Sequence, residues 1–157
     1  MSNFYIANRD LIKDFSINTG TSANPSYTAL CSTSELSLTT DFNEKTWYDF
    51  CSAIENSIIT GASVSLEGTV KIDINNTAIT TLIGSVSTLI TAGTISQFNN
   101  QMIKFKLLTG VNNGVLEYTT YTANANITLE SLGGSAEDEG EFGITVKIIG
   151  TGTEVSA

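Results

Sequence analysis

The stretch at residues 62–74, ASVSLEGTVKIDI, limits what this chain can fold into more than any other. Val64, Leu66, Val70, Ile72 and Ile74 fall on one side of a period-two repeat, and Ser63, Ser65, Glu67, Thr69, Lys71 and Asp73 on the other. That alternation is the mark of an extended strand with one buried face, and at about 3.3 Å per residue it would run roughly 43 Å. Gly68 interrupts the apolar row, as a bulge or bend would. A strand this long exceeds the usual length of about five or six residues and needs an extensive sheet around it.

The period changes at residues 75–93, NNTAITTLIGSVSTLITAG. Ile79, Leu82, Ile83, Val86, Leu89 and Ile90 follow the spacing of one helical face. Asn76 or Thr77 can cap the start and Gly93 the end, which predicts a helix over about 76–92. Its many β-branched residues lower helix propensity, so packing must hold it. Alternation then returns at 101–108, 115–123, 126–132 and 142–149. Asn113-Gly114 gives a strong hairpin signal between the first two of these. Upstream, 14–18, 27–33 and 36–42 read as shorter strands. The expected fold is mainly β, an antiparallel sandwich or barrel of about eight strands with one flanking helix.

At 157 residues the chain is expected to be one domain, residues 1–157. Seven basic and 16 acidic residues leave a net charge of −9. That argues against phosphate-backbone binding and against adhesion to anionic membranes. No apolar run approaches membrane-spanning length, so no membrane anchor is expected. Residues 1–15 lack the basic start, apolar stretch and cleavage site of a signal peptide, so first folding in a cytoplasm is expected. A disulfide between Cys31 and Cys51 is geometrically open, but in that compartment two buried, reduced thiols are expected.

Catalytic chemistry finds little to work with. The absence of histidine removes hydrolytic triads and the common zinc sites, so neither enzyme activity nor a cofactor or metal is expected. Gly150-Thr151-Gly152 opens no helix and cannot cradle a phosphate. Glu137, Asp138, Glu139 and Glu141 lack calcium-loop spacing and read as a solvated loop. Asn75-Asn76-Thr77 and Asn126-Ile127-Thr128 match the glycosylation pattern, but without a secretory signal they read as chance. Trp47 and Tyr48 alternate to opposite sides, so with Phe50 they suit core or interface packing better than a flat stacking platform.

The order of these elements carries a resemblance. Residues 31–40, CSTSELSLTT, lead into a polar, Lys45-bearing turn at 43–46 and then Trp47-Tyr48-Asp49-Phe50. Val64-Ser65-Leu66-Glu67-Gly68 follows, then Tyr121 and Ala125-Asn126-Ile127-Thr128-Leu129-Glu130, then FGITVKIIGTG at 142–152. Over residues 27–152 this set resembles the major tail tube proteins of long-tailed, siphovirus-like bacteriophages. The chain departs from that pattern at Ala123 and Asn124, where a glycine is common, at Ile149, and at 51–61, which has no Pro-Gly turn.

The resemblance implies a structural virion protein of the tail, assembled in the host bacterial cytoplasm. In that family hexameric rings stack into a tube through which genomic DNA leaves without specific binding. Inner sheets join into one barrel, the helix lies outside, and an N-terminal arm (here 1–14) and a long loop contact neighbours. Tape measure, tail tip and terminator proteins are the further partners it implies. If six copies supply four strands each, roughly 24 strands at about 4.8 Å and ~40° tilt give a circumference near 150 Å and a lumen of roughly 38 Å. Duplex DNA fits such a lumen, and acidic walls repel it over about 8 Å at physiological salt.

The polar-face residues Glu67, Lys71, Asp73, Glu117 and Glu130 are the lumen-facing candidates, with placement on outer solvent or between subunits as the competing reading. Asp41, Lys45, Trp47, Tyr48 and Phe50 are the subunit-contact candidates. Two rival functions remain: the inner tube of a contractile tail or injection device, and a stand-alone β-sandwich ligand-binding module.

Overall fold

The computed structural model describes residues 5–51 and 53–155. Seven strands form one antiparallel sheet: β1 (Ile12–Asn18), β2 (Tyr27–Ala29), β3 (Thr33–Tyr48), β4 (Glu55–Lys71), β5 (Gln101–Asn112), β6 (Val115–Glu130) and β7 (Glu141–Glu154). One helix, α1 (Thr77–Ala92), connects β4 to β5. The strand order across the sheet is β2-β1-β5-β6-β7-β4-β3.

That order forces the sheet to curl. Its two edges are β2 and β3, yet only Leu30, Cys31 and Ser32 connect them. A connection of that length reaches at most about 14 Å, whereas the edges of a flat seven-stranded sheet lie roughly 29 Å apart. The sheet therefore rolls over its apolar face, and the short link continues the β1–β2 ladder at one end and the β3–β4 ladder at the other. Leu30 N–H donates to the Phe15 carbonyl (2.9 Å) and Lys71 N–H to the Ser32 carbonyl (3.0 Å). The enclosed core joins Phe15 and Ile17 of β1, Leu66 and Val70 of β4, Ile103 and Phe105 of β5, Ile127 of β6 and Phe142, Ile144 and Val146 of β7.

The alternation at 62–74 marks the buried end of a longer strand. Leu66 and Val70 are wholly buried, with Gly68 between them facing Leu36. A Cβ at Gly68 would collide with the Glu35 carbonyl, so glycine here permits a close approach of β3. The bulge falls across the pair, at Ser34, between the partners Thr33–Val70 and Glu35–Thr69. Downstream, Ile74 is exposed, because the Asp73 carboxylate accepts a hydrogen bond from Asn75 N–H and turns the chain into the helix.

Asn76 both caps that helix and anchors it. Its Oδ1 accepts from Ala78 N–H (2.9 Å), and its Nδ2 donates to the Ala29 carbonyl (2.8 Å), fixing α1 to β2. Gly93, at φ +66°, closes the other end in the left-handed conformation. Serine and threonine hydroxyls bond back to carbonyls one turn earlier, as Thr81 does to Thr77 and Ser85 to Thr81. Ile79 and Leu82 pack as their spacing predicts, but Leu89 and Ile90 stand exposed in the last turn.

Three other expectations change. Residues 115–123 and 126–132 belong largely to one strand, β6, because Asn124 and Asn126 lie on its polar face while Ala123 and Ala125 point inward. Cys31 and Cys51 are free, as expected, but exposed, since both sit in turns. They flank β3, about 50 Å long, far beyond disulfide reach. Of the expected arm at 1–14, residues 1–4 lie outside the described residues, Asn8–Asp10 form a 3-10 turn, and Ile12 onwards is β1. The Asn113-Gly114 hairpin appears as predicted, with φ +51° and +79° as a type I′ turn requires.

Two glycines test this packing. Gly68→Ala should cost about 2 kcal/mol or more through its backbone collision, lowering the melting temperature by roughly 4–8 °C. Gly61→Ala meets only the Asn43 side chain at 3.7 Å and should stay within ~0.5 kcal/mol of the parent. Equal melting temperatures for the two variants would refute the close approach.

Candidate assembly interface

β3 and β4 continue well past the body of the sheet. β4 pairs with β7 only from Ser65 to Lys71, and its first part, 55–64, pairs with β3 alone. That leaves a two-stranded stretch about 33 Å long, whose inner end at Ala62, Ser63 and Val64 still borders a cleft with Phe105, Tyr121 and Ile148. Residues 43–46, expected as a turn, lie within β3, with Lys45 opposite Ile58 and Thr46 opposite Ser57. The chain turns later, at 49–54, where the Asp49 carboxylate accepts from Asn56 Nδ2 at 3.0 Å. A bulge at Thr60 sits between the pairs Asn43–Gly61 and Glu44–Ile59, and its hydroxyl donates to the Asn43 carbonyl.

The hairpin buries almost nothing. Phe50 is fully exposed, Tyr48 67% and Phe42 61% exposed, and Trp47, Ile54, Ile58 and Ile59 are open as well. Alternation sorts these residues onto two faces. Trp47, Lys45, Asp41 and Ile58 share one, and Phe42, Glu44, Tyr48, Glu55 and Ile59 the other. An isolated hairpin is marginal in water, and a run of exposed aromatic and branched side chains marks a surface meant to be covered. The five subunit-contact candidates, Asp41, Lys45, Trp47, Tyr48 and Phe50, all lie on this element. Sequence reasoning passed over Ile54, Ile58 and Ile59. The β-branched run Ile58-Ile59-Thr60 was the available signal for an extra strand segment.

The lumen-facing candidates occupy three settings. Glu67, Lys71 and Glu130 share the polar face of β4, β7 and β6, where Glu67 stands opposite Thr145, Lys71 opposite Glu141 and Glu130 opposite Gly143. Lys71 is drawn to Glu139 (3.3 Å) and Glu141 (3.9 Å). Glu117 points to the other face of β6, near the β5–β6 turn, and Asp73 belongs to the turn before α1. Glu35, Glu67 and Glu130 also border a cleft of about 900 Å³ whose lining includes Arg9 and Lys13. Tyr27, on the β2 edge, has its phenol held above the ordinary range by burial. Among the described residues no group of three or more acidic or thiol side chains is close enough to hold a metal ion.

No family model and no curated protein matches the chain. Solved structures do match it over nearly its whole length. The tail of an empty gene transfer agent particle, refined with helical C6 symmetry, has 10% identity and a TM-score of 0.59, over 97% of this chain and 100% of that one. The SPP1 tail tube has 14% identity and a TM-score of 0.58, over 92% and 76%. The sheath/tube terminator of PVC, an extracellular contractile injection system, has 15% identity and a TM-score of 0.57, over 99% and 100%. At such identities the likeness is one of fold, and the chain has the fold of these tube proteins.

Hydrogen exchange tests the uncovered state of the hairpin. In the isolated chain, amides of residues 40–48 and 55–62 should exchange at least about tenfold faster than those of 65–71, which are paired on both sides. Equal protection along β4 would show that something covers the hairpin already.

Proposed function

We propose that this chain is a structural tail-tube subunit, six copies forming a ring and the rings stacking into a conduit for genome ejection. The hairpin carries this reading. It presents aromatic and branched side chains over about 33 Å with, among the described residues, no partner strand beyond its own pair, as an element completed by a neighbouring copy would. Trp47, Tyr48 and Phe50 supply the apolar contact, with Asp41 and Lys45 flanking them. The open edge of β3 offers a second means of joining, since pairing between copies would cover its free backbone groups. Six-fold rings agree with the C6 symmetry of the gene transfer agent tail that shares the fold.

The charge suits such a conduit. A chain of net charge −9 has few cations with which to displace the counterions of DNA, so a duplex slides past without sticking. Glu67 and Glu130, with Lys71 between acidic neighbours, are the proposed lumen residues, because they share one polar face of the sheet. The part of the expected arm at 1–14 that precedes β1 would reach to neighbouring copies, with tape measure, tip and terminator proteins at the tube's ends. The site of action is the virion tail after assembly in the bacterial cytoplasm. The inner tube of a contractile injection device is the second reading, supported by the comparable match to the PVC terminator.

Negative-stain microscopy and size exclusion at rising concentration test this reading. The protein should form rings or tubes, and a chain that stays monomeric would overturn it. Trp47 is the only tryptophan and 41% exposed, so assembly should shift its emission to the blue. Trp47→Ala should fold normally yet raise the concentration needed for assembly by about tenfold or more, the effect of losing one buried aromatic anchor.

A further inference from the structure

The outer face of β1 and β5 carries an arrangement that one chain alone leaves unfavourable. Lys13 on β1 stands directly opposite Lys106 on β5, and Lys104 lies two residues along the same face. Like charges directly opposite one another destabilise an antiparallel pair. The relief each receives is exposed and partial: Lys13 is 3.5 Å from the Asp10 carboxylate and Lys106 is 3.2 Å from that of Asp14. Lys104 has the ring of Tyr27 beside it, 5.6 Å from Nζ to the ring centre, and no carboxylate within ion-pair distance among the described residues. With Arg9 on the adjoining turn, four of the seven basic residues gather at this end of the sheet, with Asp10 and Asp14 among them and Glu35, Glu67 and Glu130 across the cleft that Arg9 and Lys13 line.

The hairpin carries the complement. Its Phe42–Tyr48–Ile59 face bears Glu44 and Glu55 and no basic residue, since Lys45 points to the other side. We propose that this acidic, aromatic face of one copy docks on the Lys13–Lys104–Lys106 surface of a second copy. This rests on the tube reading above and names the surface that receives the hairpin. Glu44 and Glu55 would then separate the opposed lysines electrostatically, while Tyr48 and Phe42 lie beside the Tyr27 and Tyr118 rings that already flank those lysines. The two surfaces are different parts of the chain, so the contact is heterologous and propagates from copy to copy instead of closing on a two-fold axis.

A charge swap tests the pairing. Lys104→Glu with Lys106→Glu, and separately Glu44→Lys with Glu55→Lys, should each raise the concentration needed for assembly at least about tenfold. All four substitutions in one chain should restore assembly, which a mere folding defect would not allow. Patch-reversed chains that assemble like the parent would overturn the docking surface while leaving the tube reading intact. Lost assembly that the fourfold variant fails to restore would also overturn it. Retention of duplex DNA by the unassembled parent chain, abolished by the lysine reversal, would assign the patch to nucleic acid instead. A parent chain that never assembles would overturn both readings.

Discussion

The pairing of β3 with β4 is the constraint on which the rest of the structure depends. Near its base, the ladder brings Leu36 and Leu38 against the core and passes Gly68 beneath the Glu35 carbonyl. Further out, the same ladder runs into solvent with no third strand beside it among the described residues. One ladder, bulged at Thr60, therefore joins the most tightly packed part of the molecule to its least covered part. A rigid, buried base holds the projecting tip in a defined direction, which a flexible loop of equal length could not do.

Closure of the sheet has a second source, the three-residue link between β2 and β3. It draws the two edges together and leaves little edge at β2, which is only three residues long. The long open edge is consequently β3. Exposed edges of this kind invite pairing with other chains, and natural proteins cover or charge them. Here β3 carries few charges along its base, mostly serine, threonine and leucine, which leaves that edge open to pairing. The polar face of β4, β6 and β7 mixes Glu67, Glu130 and Glu141 with Lys71 and Lys147, whereas that of β1 and β5 carries Lys13, Lys104 and Lys106.

The buried strands were legible because one face of each is in water and the other is not. Leu66 and Val70, Ile103 and Phe105, and Ile144 and Val146 alternate with polar residues for that reason. The Asn113-Gly114 turn and the Asn76 and Gly93 caps were legible because few residues satisfy those backbone geometries. Residues 43–46 misled for the opposite reason. Both faces of the hairpin are wet, so no alternation is imposed, and a polar run inside a strand reads as a turn. The period also ran on past its cause at Ile74, where turn chemistry at Asp73 had already taken the chain out of the sheet.

The sequence by itself determined the class of fold, the helix and its caps, one tight turn, the acidic balance and the aromatic cluster around Trp47. These follow from local chemistry: side-chain period, backbone preference and charge. Only the tertiary structure decided that β3 and β4 overrun their neighbours, that Glu117 turns away from Glu67 and Glu130, and that Lys13 meets Lys106. Each of these is a matter of register between segments distant in the chain, and a shift of one residue would send every side chain to the opposite face.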